Sequence, residues 1–514
     1  MPTYLSPGVY VQEIEAGTRP IEGVGTAVAA FVGVAPAGPE NTPTLVSNWT
    51  QFVDTFGGLA AGSYLGYAVY GYFNNGGGNC YVVRITPAKG RPARGTKPTA
   101  ALAVASTGGY QLTAKAASTK GLKVVFGPAT GDDPAGDLVS VAVSADGKSA
   151  ESWDRLSVTP TSPDFVATRV TAESKLVTVE VASQPNPAAK PLQGTYELTT
   201  TATTTDLSVP GVVDAASYIG DAAERTGFGG LEAIEEVTMV TVPDLMAAYE
   251  QGAIDLETVK AVQLGVITHC ELMGDRLAIL DTPPGLSAQQ VREWRVNTAG
   301  YDSKFAALYY PWVKVQDPVT STIRFVPPSG HVAGIWARND AERGVHKAPA
   351  NEIVRGAVDL QTKITRTEQE LLNPIGVNVI RSFPGGGIRV WGARTLSSDP
   401  AWRYVNLRRL FNYLEKSILT QTQFAVFEPN DQALWGRLTR TIRAFLLNEW
   451  RAGSLFGSLE AEAFFVKCDA ETNPPEVIDA GQVICQIGVA PVKPAEFVVF
   501  QLAQFSSGTG LVGE

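Results

Sequence analysis

Histidine and cysteine are scarce in this sequence, which has three histidines and four cysteines among 514 residues. No two cysteines form a CxxC pair, so we expect all four thiols to be reduced residues of the core. His269 adjoins Cys270, but neighbouring residues on a helix point about 100° apart, which makes joint ligation of one ion awkward. The sequence therefore predicts no metal site and no cofactor.

Signatures of catalysis are also missing. No GxSxG nucleophile elbow occurs, and the segment nearest to a phosphate loop, GRPARGTK at 90–97, has Thr and Lys in the wrong order. DTPPG at 281–285 resembles the strand-end Asp and Gly of nucleotide-hydrolysing proteins, but a strand that ends in a proline turn explains it sufficiently. The sequence predicts that the protein is not an enzyme.

Long hydrophobic segments are absent as well. Nowhere do about 18 consecutive apolar residues occur, the minimum for a membrane helix, so we predict no membrane insertion. The start, MPTYLSPGVYVQEIE, does not resemble a secretory signal, and cytoplasmic synthesis is expected. A net charge of -10 opposes nonspecific attraction to nucleic acid, and no nucleic-acid partner is predicted.

Alternating apolar strands and helices are what the chain does contain. Helices are predicted at 49–58, 64–75 and 256–273. The strand segments are TAVAAFVGVAP (26–36), CYVVRI (80–85), VTMVTVPD (237–244), RLAILDTPPG (276–285) and FAALYYPWVKV (305–315). Strands buried on both faces that alternate with helices indicate a doubly wound α/β sheet. A chain of this length is expected to form two to four domains.

Aromatic residues are rare in residues 87–209, with 5 in 123 residues against 40 in the remaining 391. The short alternating runs there are LKVVF (122–126), LVSVAVS (138–144) and LVTVEVA (176–182). Such runs between Gly, Asp and Pro predict a small β-domain. We therefore predict a β-rich domain inserted into an α/β core of residues 21–86 and 210–380.

Two amphipathic helices are predicted after residue 380, at about 402–420 and from Asn430 or Asp431 to about 450. Between residues 381 and 460, 11 Lys and Arg outnumber 6 Asp and Glu. The basic residues assigned to the polar helix faces are Arg408, Arg409, Lys416, Arg437, Arg440 and Arg443. Such faces are either solvated surfaces of ordinary helices or a docking surface for an acidic partner, and the sequence leaves both interpretations open.

Strand-like runs near both ends lack an evident partner. VYVQEIE at 9–15 carries no hairpin signal, so it must find its sheet elsewhere. EFVVFQLAQF at 496–505 is apolar on both faces. AEAFFVKCD (461–469) and VICQIGV (483–489) are further predicted strands.

Several of these segments resemble the tail sheath family of contractile phages, phage-like bacteriocins and extracellular contractile injection systems. The segments are YLSPGVYVQEIEAGTRPIEGVGTAVAAFVG (4–33), PPSGHVAGIWARNDAERGVHKAPAN (327–351), RSFPGGGIRVWGARTL (381–396), WRYVNLRRLFNYLEKSI (402–418) and FLLNEWRAGSLFG (445–457). Residues 87–209 match no motif of the family, as expected of the variable outer insertions that such sheaths carry.

The resemblance implies an α+β or α/β multidomain protein with an α/β core, an inserted β-rich outer domain and a carboxyl-terminal α/β sheath domain. Residues 1–20 and 483–514 would be strand arms, and 381–482 would face an inner tube. The implied arm residues are Val9, Tyr10, Val11, Ile14, Phe497, Val498, Val499, Phe500 and Leu502. The six basic helix residues become candidates for contact with the tube.

The partners implied by the resemblance are further copies of the chain, in hexameric rings stacked into a helical sheath, together with inner-tube, baseplate and terminal cap proteins. Arms that add strands to sheets of neighbouring subunits would hold the copies together by β-augmentation. Two alternatives remain open: a soluble α/β nucleotide hydrolase that uses Asp281, and a static tube or shell protein. The sequence does not distinguish a phage tail from a cell-produced injection particle.

Overall fold

A computed structural model describes residues 21–85, 104–107, 110–114, 123–131, 137–145, 148–159, 162–181, 194–197 and 214–499. The chain forms two compact units, one of residues 1–92 and 206–514 and the other of residues 93–205. The second unit lies within the predicted insertion at 87–209. Its outer position and the remaining predicted domain limits stay predictions.

The secondary structure alternates between strands and helices over much of the larger unit. The strands are β1 Ala29–Gly33, β2 Thr44–Val46, β3 Cys80–Arg84, β4 Val104–Thr107, β5 Tyr110–Ala114, β6 Lys123–Pro128, β7 Leu138–Ala145, β8 Lys148–Ser157, β9 Val177–Val181, β10 Gly194–Glu197, β11 Met239–Thr241, β12 Leu277–Asp281, β13 Ala306–Tyr310, β14 Val313–Gln316, β15 Ile323–Val326, β16 Glu352–Ile353, β17 Ala357–Leu360, β18 Val377–Phe383, β19 Gly387–Val390, β20 Phe464–Lys467 and β21 Gln486–Val489. The helices are α1 Trp49–Phe56, α2 Leu65–Asn74, α3 Val166–Glu173, α4 Ala215–Ile219, α5 Asp244–Glu250, α6 Leu256–Met273, α7 Ala288–Glu293, α8 Ser329–Arg343, α9 Arg366–Leu372, α10 Val405–Gln421, α11 Gln432–Arg451, α12 Glu460–Ala463 and α13 Pro475–Asp479. This alternation confirms the predicted α/β class.

A nine-stranded sheet organises the larger unit, in the order β16-β19-β18-β13-β12-β11-β1-β3-β2. The six strands from β18 to β3 run parallel to one another, β19 and β2 run antiparallel to them, and β16 pairs antiparallel with β19. Strands β1, β12 and β13 are buried along their whole length. This burial explains why their sequences are continuous apolar runs rather than alternating ones.

The two faces of this sheet carry different layers. Ala278 and Leu280 of β12 belong to the apolar core that contains α5, α6 and α7. Leu277 and Ile279 belong to the core on the other face, with α1, α2 and α8. A small sheet of order β15-β14-β17 joins that second face through residues such as Val315. Alternate residues of one strand point to opposite faces, so α6 and β14 lie on opposite sides of the nine-stranded sheet.

Local signals at the ends of α6 explain why the predicted range, 256–273, matches the observed helix. The side chain of Asp255 accepts a hydrogen bond from the backbone N–H of Thr258 and caps the amino terminus at 2.8 Å. Gly274 ends the helix with a φ of 68°, in the left-handed region that favours glycine.

The prediction of a single strand at 305–315 is wrong. The run at 305–315 forms two strands, β13 and β14, which belong to different sheets. Pro311 separates them, and a proline cannot donate a hydrogen bond to a sheet ladder.

The predicted pair of helices after residue 380 is present as α10 and α11. Their apolar stripes share a core that includes Leu410, Leu414, Ile442 and Phe445. Asp431 is one of the two predicted cap residues. Its side chain caps α11 by accepting a hydrogen bond from the backbone N–H of Leu434 at 2.9 Å. Strands β20 and β21 pair antiparallel beside them.

The smaller unit is β-rich, as predicted from its alternating runs. Its described strands form two antiparallel sheets, β10-β6-β7-β8 and β4-β5-β9. Buried residues of both sheets and of α3 form one core, including Val124, Phe126, Val141, Val170 and Val179.

Candidate functional site

The described carboxyl-terminal segment, up to residue 499, exposes apolar side chains. Phe497 is 73% and Val499 79% exposed. The sequence predicted a strand from residue 496, but residues 496–499 belong to no strand. A strand requires a neighbour for its backbone groups, and residues 496–499 have no strand neighbour within the described chain. The other predicted arm residues, Val9, Tyr10, Val11, Ile14, Phe500 and Leu502, lie outside the described residues.

Glu496 anchors this segment immediately before the exposed side chains. Its Oε2 lies 2.6 Å from Nη2 of Arg394, and its carboxylate accepts further hydrogen bonds from Asn373 at 2.8 Å and from the Tyr404 hydroxyl at 3.0 Å. Burial opposes ionisation of Glu496, but the bonds from Arg394 and the other donors outweigh it and lower the pKa of the carboxyl. The chain is therefore held in place at Glu496 and projects apolar groups beyond it.

A groove of about 990 Å³ runs beside this anchored segment. Its lining includes the cationic residues Arg343, Lys347, Arg366 and Arg381, and the aromatic residues Phe383 and Trp391. Acidic residues are fewer in the lining than basic ones. Two of the cations are already paired within the chain, Lys347 with Glu352 at 2.6 Å and Arg366 with Glu370 at 3.1 Å.

The pair β20 and β21 is an open sheet. It contains no third strand among the described residues. Phe464 is buried against the core of α10 and α11, whereas the neighbouring Phe465 is exposed, as is Ile487 on the other strand. Unpaired edges with exposed apolar side chains are a template for pairing with another chain.

Arg409, a predicted tube-contact residue, is buried within its own chain. Its guanidinium forms a two-pronged ion pair with Asp340 of α8, with Nη1–Oδ1 and Nη2–Oδ2 distances of 2.8 and 2.6 Å. Nη2 also donates to the carbonyl oxygen of Thr26 at 2.9 Å, and the guanidinium lies 4.8 Å from the Trp336 ring centre. The side chains of Arg409 and Asp340 are only 3% and 5% exposed. The prediction that Arg409 occupies a free polar face is wrong.

Arg408 and Lys416 are also engaged within the chain. The Arg408 guanidinium lies 4.6 Å from the ring centre of Trp402 and donates to Glu415 at 3.1 Å. Burial lowers the pKa of Arg408 from its usual value. Nζ of Lys416 lies 2.7 Å from Oδ2 of Asp275. These two residues and Arg409 do not form the exposed polar face that the helical pattern predicted.

The remaining basic candidates lie on α11. Arg437 is half-buried and lies 4.0 Å from the ring centre of Phe424. Arg440 is exposed. Arg443 is exposed and pairs with Glu460 at 2.6 Å. Of the six candidates, exposed basic side chains therefore remain on α11, and at Arg443 a carboxylate partly neutralises the charge.

Asp281 is the residue that the nucleotide-hydrolase alternative would use. In the structure its carboxylate is bonded to the start of helix α8. One of its carboxylate oxygens accepts from the Ser329 N–H at 2.9 Å and the other from the Ser329 hydroxyl at 2.6 Å. The first of these bonds satisfies one of the backbone N–H groups that have no partner within the helix at the amino terminus of α8. Burial raises the pKa of Asp281 to about 7, against the opposing effect of the bonds from Ser329. Both oxygens are thus engaged in holding α8 at the end of β12.

The described part of the chain contains no cluster of three or more His, Cys, Asp or Glu residues that could hold a metal ion. Within the same residues, no helix combines the length and apolar character needed to cross a membrane.

Family models match more than half of the chain. Residues 211–396 match the phage tail sheath protein central domain, and residues 397–505 match the phage tail sheath C-terminal domain. The tail sheath protein of Burkholderia phage BcepMu is 26% identical over 519 residues, covering 96% of this chain and 95% of that protein. The tail sheath protein of Enterobacteria phage T4 is 24% identical over 332 residues, covering 55% of this chain and 48% of that protein.

Solved sheath structures share the fold. The sheath complex of an extracellular contractile injection system, PVC, in its contracted state matches with a TM-score of 0.59 and 24% identity, over 98% of this chain and 99% of that one. The contracted helical sheath of the anti-feeding prophage matches with a TM-score of 0.58 and 23% identity, over 98% and 100% of the two chains.

Proposed function

Because the chain belongs to the phage tail sheath family and is a structural subunit of a contractile sheath, we propose that its copies stack as hexameric rings around an inner tube and shorten to drive that tube forward. The observation that carries the proposal is the end of the described chain. Glu496 is held by three side chains, and the apolar residues that follow it, Phe497, Val498 and Val499, are exposed.

Neighbouring copies are joined by strand addition in this proposal. The run at 9–15 and the segment that follows Glu496 add strands to a sheet of another subunit, and the open pair β20 and β21 is the sheet best suited to receive them. Main-chain hydrogen bonds hold such a joint, while Gly8 and Gly17 beside the first run let the compact bodies rotate. Subunits can then reorient during contraction without separating.

The sheath works without catalysis in this proposal. The energy for contraction is stored when subunits assemble in an extended lattice, and a baseplate triggers its release. Assembly takes place in the cytoplasm, with baseplate and terminal cap proteins at the two ends. Particles of one preparation should show two helical lattices, extended and contracted, whereas a static tube protein would show one.

Deleting residues 1–17 tests the strand-addition joint. We expect electron microscopy to show no long sheaths when the shortened chain is co-expressed with its tube and baseplate proteins, since each subunit loses one link to its neighbour. Circular dichroism should still show a folded protein. Sheaths of normal length and number from the shortened chain would rule out a role for this arm.

Charge reversal on α11 tests the tube contact that we propose for its basic face. The double substitution Arg440→Glu and Arg443→Glu should reduce the fraction of extended particles, because it places carboxylates against an acidic tube surface. Arg292→Glu on α7 is the matched control, since that side chain is also exposed and α7 belongs to a different core from α11. Equal fractions of extended particles in both variants would identify the α11 arginines as ordinary solvated residues.

A further inference from the structure

Helix α6 is apolar on two sides. Its inner side contributes Val259, Val262 and Val266 to the core. Its outer side, at helical spacing, carries Ala261, Leu264, Thr268 and Leu272, all of them exposed and uncharged. A helix that faces water normally presents polar or charged residues outward. We call these four residues the α6 stripe, and Leu272 within it is 73% exposed.

A second exposed apolar surface lies on β15. Strand β15 is an edge of the small sheet β15-β14-β17, and its residues Ile323 and Phe325 point away from the core. Val319, in the turn between β14 and β15, is exposed beside them. We call these three residues the β15 face. Exposed apolar side chains on an unpaired edge strand are typical of an interaction surface.

The two surfaces are on opposite sides of one body. The α6 helix covers one face of the nine-stranded sheet, and the small sheet that contains β15 covers the other. Association of identical subunits into an open helix requires two different patches on each subunit, whereas a closed two-fold dimer requires one self-complementary patch. Two apolar patches on opposite sides meet the requirement for the open helix.

One basic residue beside the β15 face and two acidic residues beside the α6 stripe are of opposite sign. Lys314 pairs across the ladder with Phe325, and its Nζ lies 5.7 Å from the Phe325 ring centre, whereas Arg324 points to the other face of the strand and lies 3.9 Å from Asp317. The exposed carboxylates of Glu257 and Glu271 flank the α6 stripe. Each surface also has one residue of the opposite charge nearby. Asp359 pairs with Lys314 across the small sheet, and Lys260 lies on α6.

We infer that the α6 stripe of one subunit packs against the β15 face of the next subunit in the sheath. This inference rests on the proposed function, because it assumes a helical polymer, and it assigns a contact between compact bodies in addition to the strand arms. Apolar side chains supply the attraction, and the flanking charges orient the two surfaces.

Cysteine crosslinking in assembled particles tests this pairing. One chain carries both Leu264→Cys and Phe325→Cys. Electron microscopy first confirms that this chain forms sheaths, and a short bismaleimide is then added to them. We expect the monomer band to convert to a ladder of dimers, trimers and longer species, because each subunit donates one cysteine to each neighbour.

The wild-type chain, with its half-buried Cys485, sets the background for crosslinking. A chain with Val53→Cys and Phe325→Cys is the matched control, since Val53 is 38% exposed, against 40% for Leu264, and lies on α1, which packs on the other face of the nine-stranded sheet from α6.

The single variants separate the possible outcomes. Each single variant should give no crosslink above background, and a mixture of the two should give dimers and nothing longer. Dimers from one single variant would show a self-pairing patch and overturn the inference. Intact double-variant sheaths without a ladder would overturn it while leaving the proposed sheath in place. Failure of the wild-type chain to form any sheath would refute the proposed function, and the pairing with it.

Discussion

We expect Asp340→Ala to lower the free energy of unfolding of the larger unit by about 3–5 kcal/mol, because it leaves the buried guanidinium of Arg409 without its counter-ion. Asp340 also accepts a hydrogen bond from the Thr26 hydroxyl at 2.6 Å, so the substitution releases the chain that leads into β1. Urea denaturation of the monomer that lacks residues 1–17 measures the loss. Tryptophan fluorescence is a suitable signal, since Trp336 packs on Arg409.

Two further variants show whether the loss comes from an unpaired buried charge. Removing both partners, with Asp340→Ala and Arg409→Met together, should restore much of the stability, because no buried charge then remains unpaired. Arg440→Ala removes an exposed arginine from a neighbouring helix and should change stability little. An Asp340→Ala variant as stable as the wild type would show that Arg409 does not need this partner.

The second large effect is expected where α2 crosses α8. A Cβ atom placed on Gly334 would lie 2.3 Å from the carbonyl oxygen of Tyr72, and one on Gly330 would lie 2.3 Å from that of Ala68. Backbone atoms cannot move aside as a flexible side chain can, so Gly334→Ala must push the helices apart. We expect a loss of about 1–3 kcal/mol, although alanine is the better helix former by about 1 kcal/mol.

Gly436→Ala is the matched control for this substitution. Gly436 also lies inside a helix, α11, but an added Cβ would meet only the end of the Arg440 side chain, at 3.1 Å. That end can rotate away, so the gain in helix propensity should dominate and stability should rise by up to about 1 kcal/mol. Urea denaturation of both variants compares the signs of the two changes. Equal changes in both variants would mean that the close approach of α2 and α8 does not limit packing.

The periodicity of the sequence was sufficient for the elements that meet the core along their whole length. Helices α6, α10 and α11 and strands β1 and β12 were predicted close to their observed bounds, because their apolar residues recur at the helical period or run continuously through a buried strand. The break at Pro311 could have been predicted from the same pattern, since a proline inside a strand-like run argues against one continuous strand.

The basic faces of α10 and α11 show where periodicity was insufficient. A charged residue opposite an apolar stripe is normally solvated, so Arg408 and Arg409 were assigned to a surface. Burial of Arg409 depends on Asp340, 69 residues earlier in the chain. No local pattern records that pairing. The sequence pattern likewise does not distinguish the α6 stripe from the buried side of α6, because a helix with apolar residues on two sides gives no indication of which side the chain itself covers.

The sequence by itself determined the class of the fold, the order of strands and helices, and the resemblance to tail sheaths, because each of these depends on patterns within short segments. Only the tertiary structure decided which charges are neutralised inside the chain and which apolar surfaces remain for other subunits. Burial is a property of segments brought together from distant positions, and a side chain becomes buried or exposed only once those segments have packed.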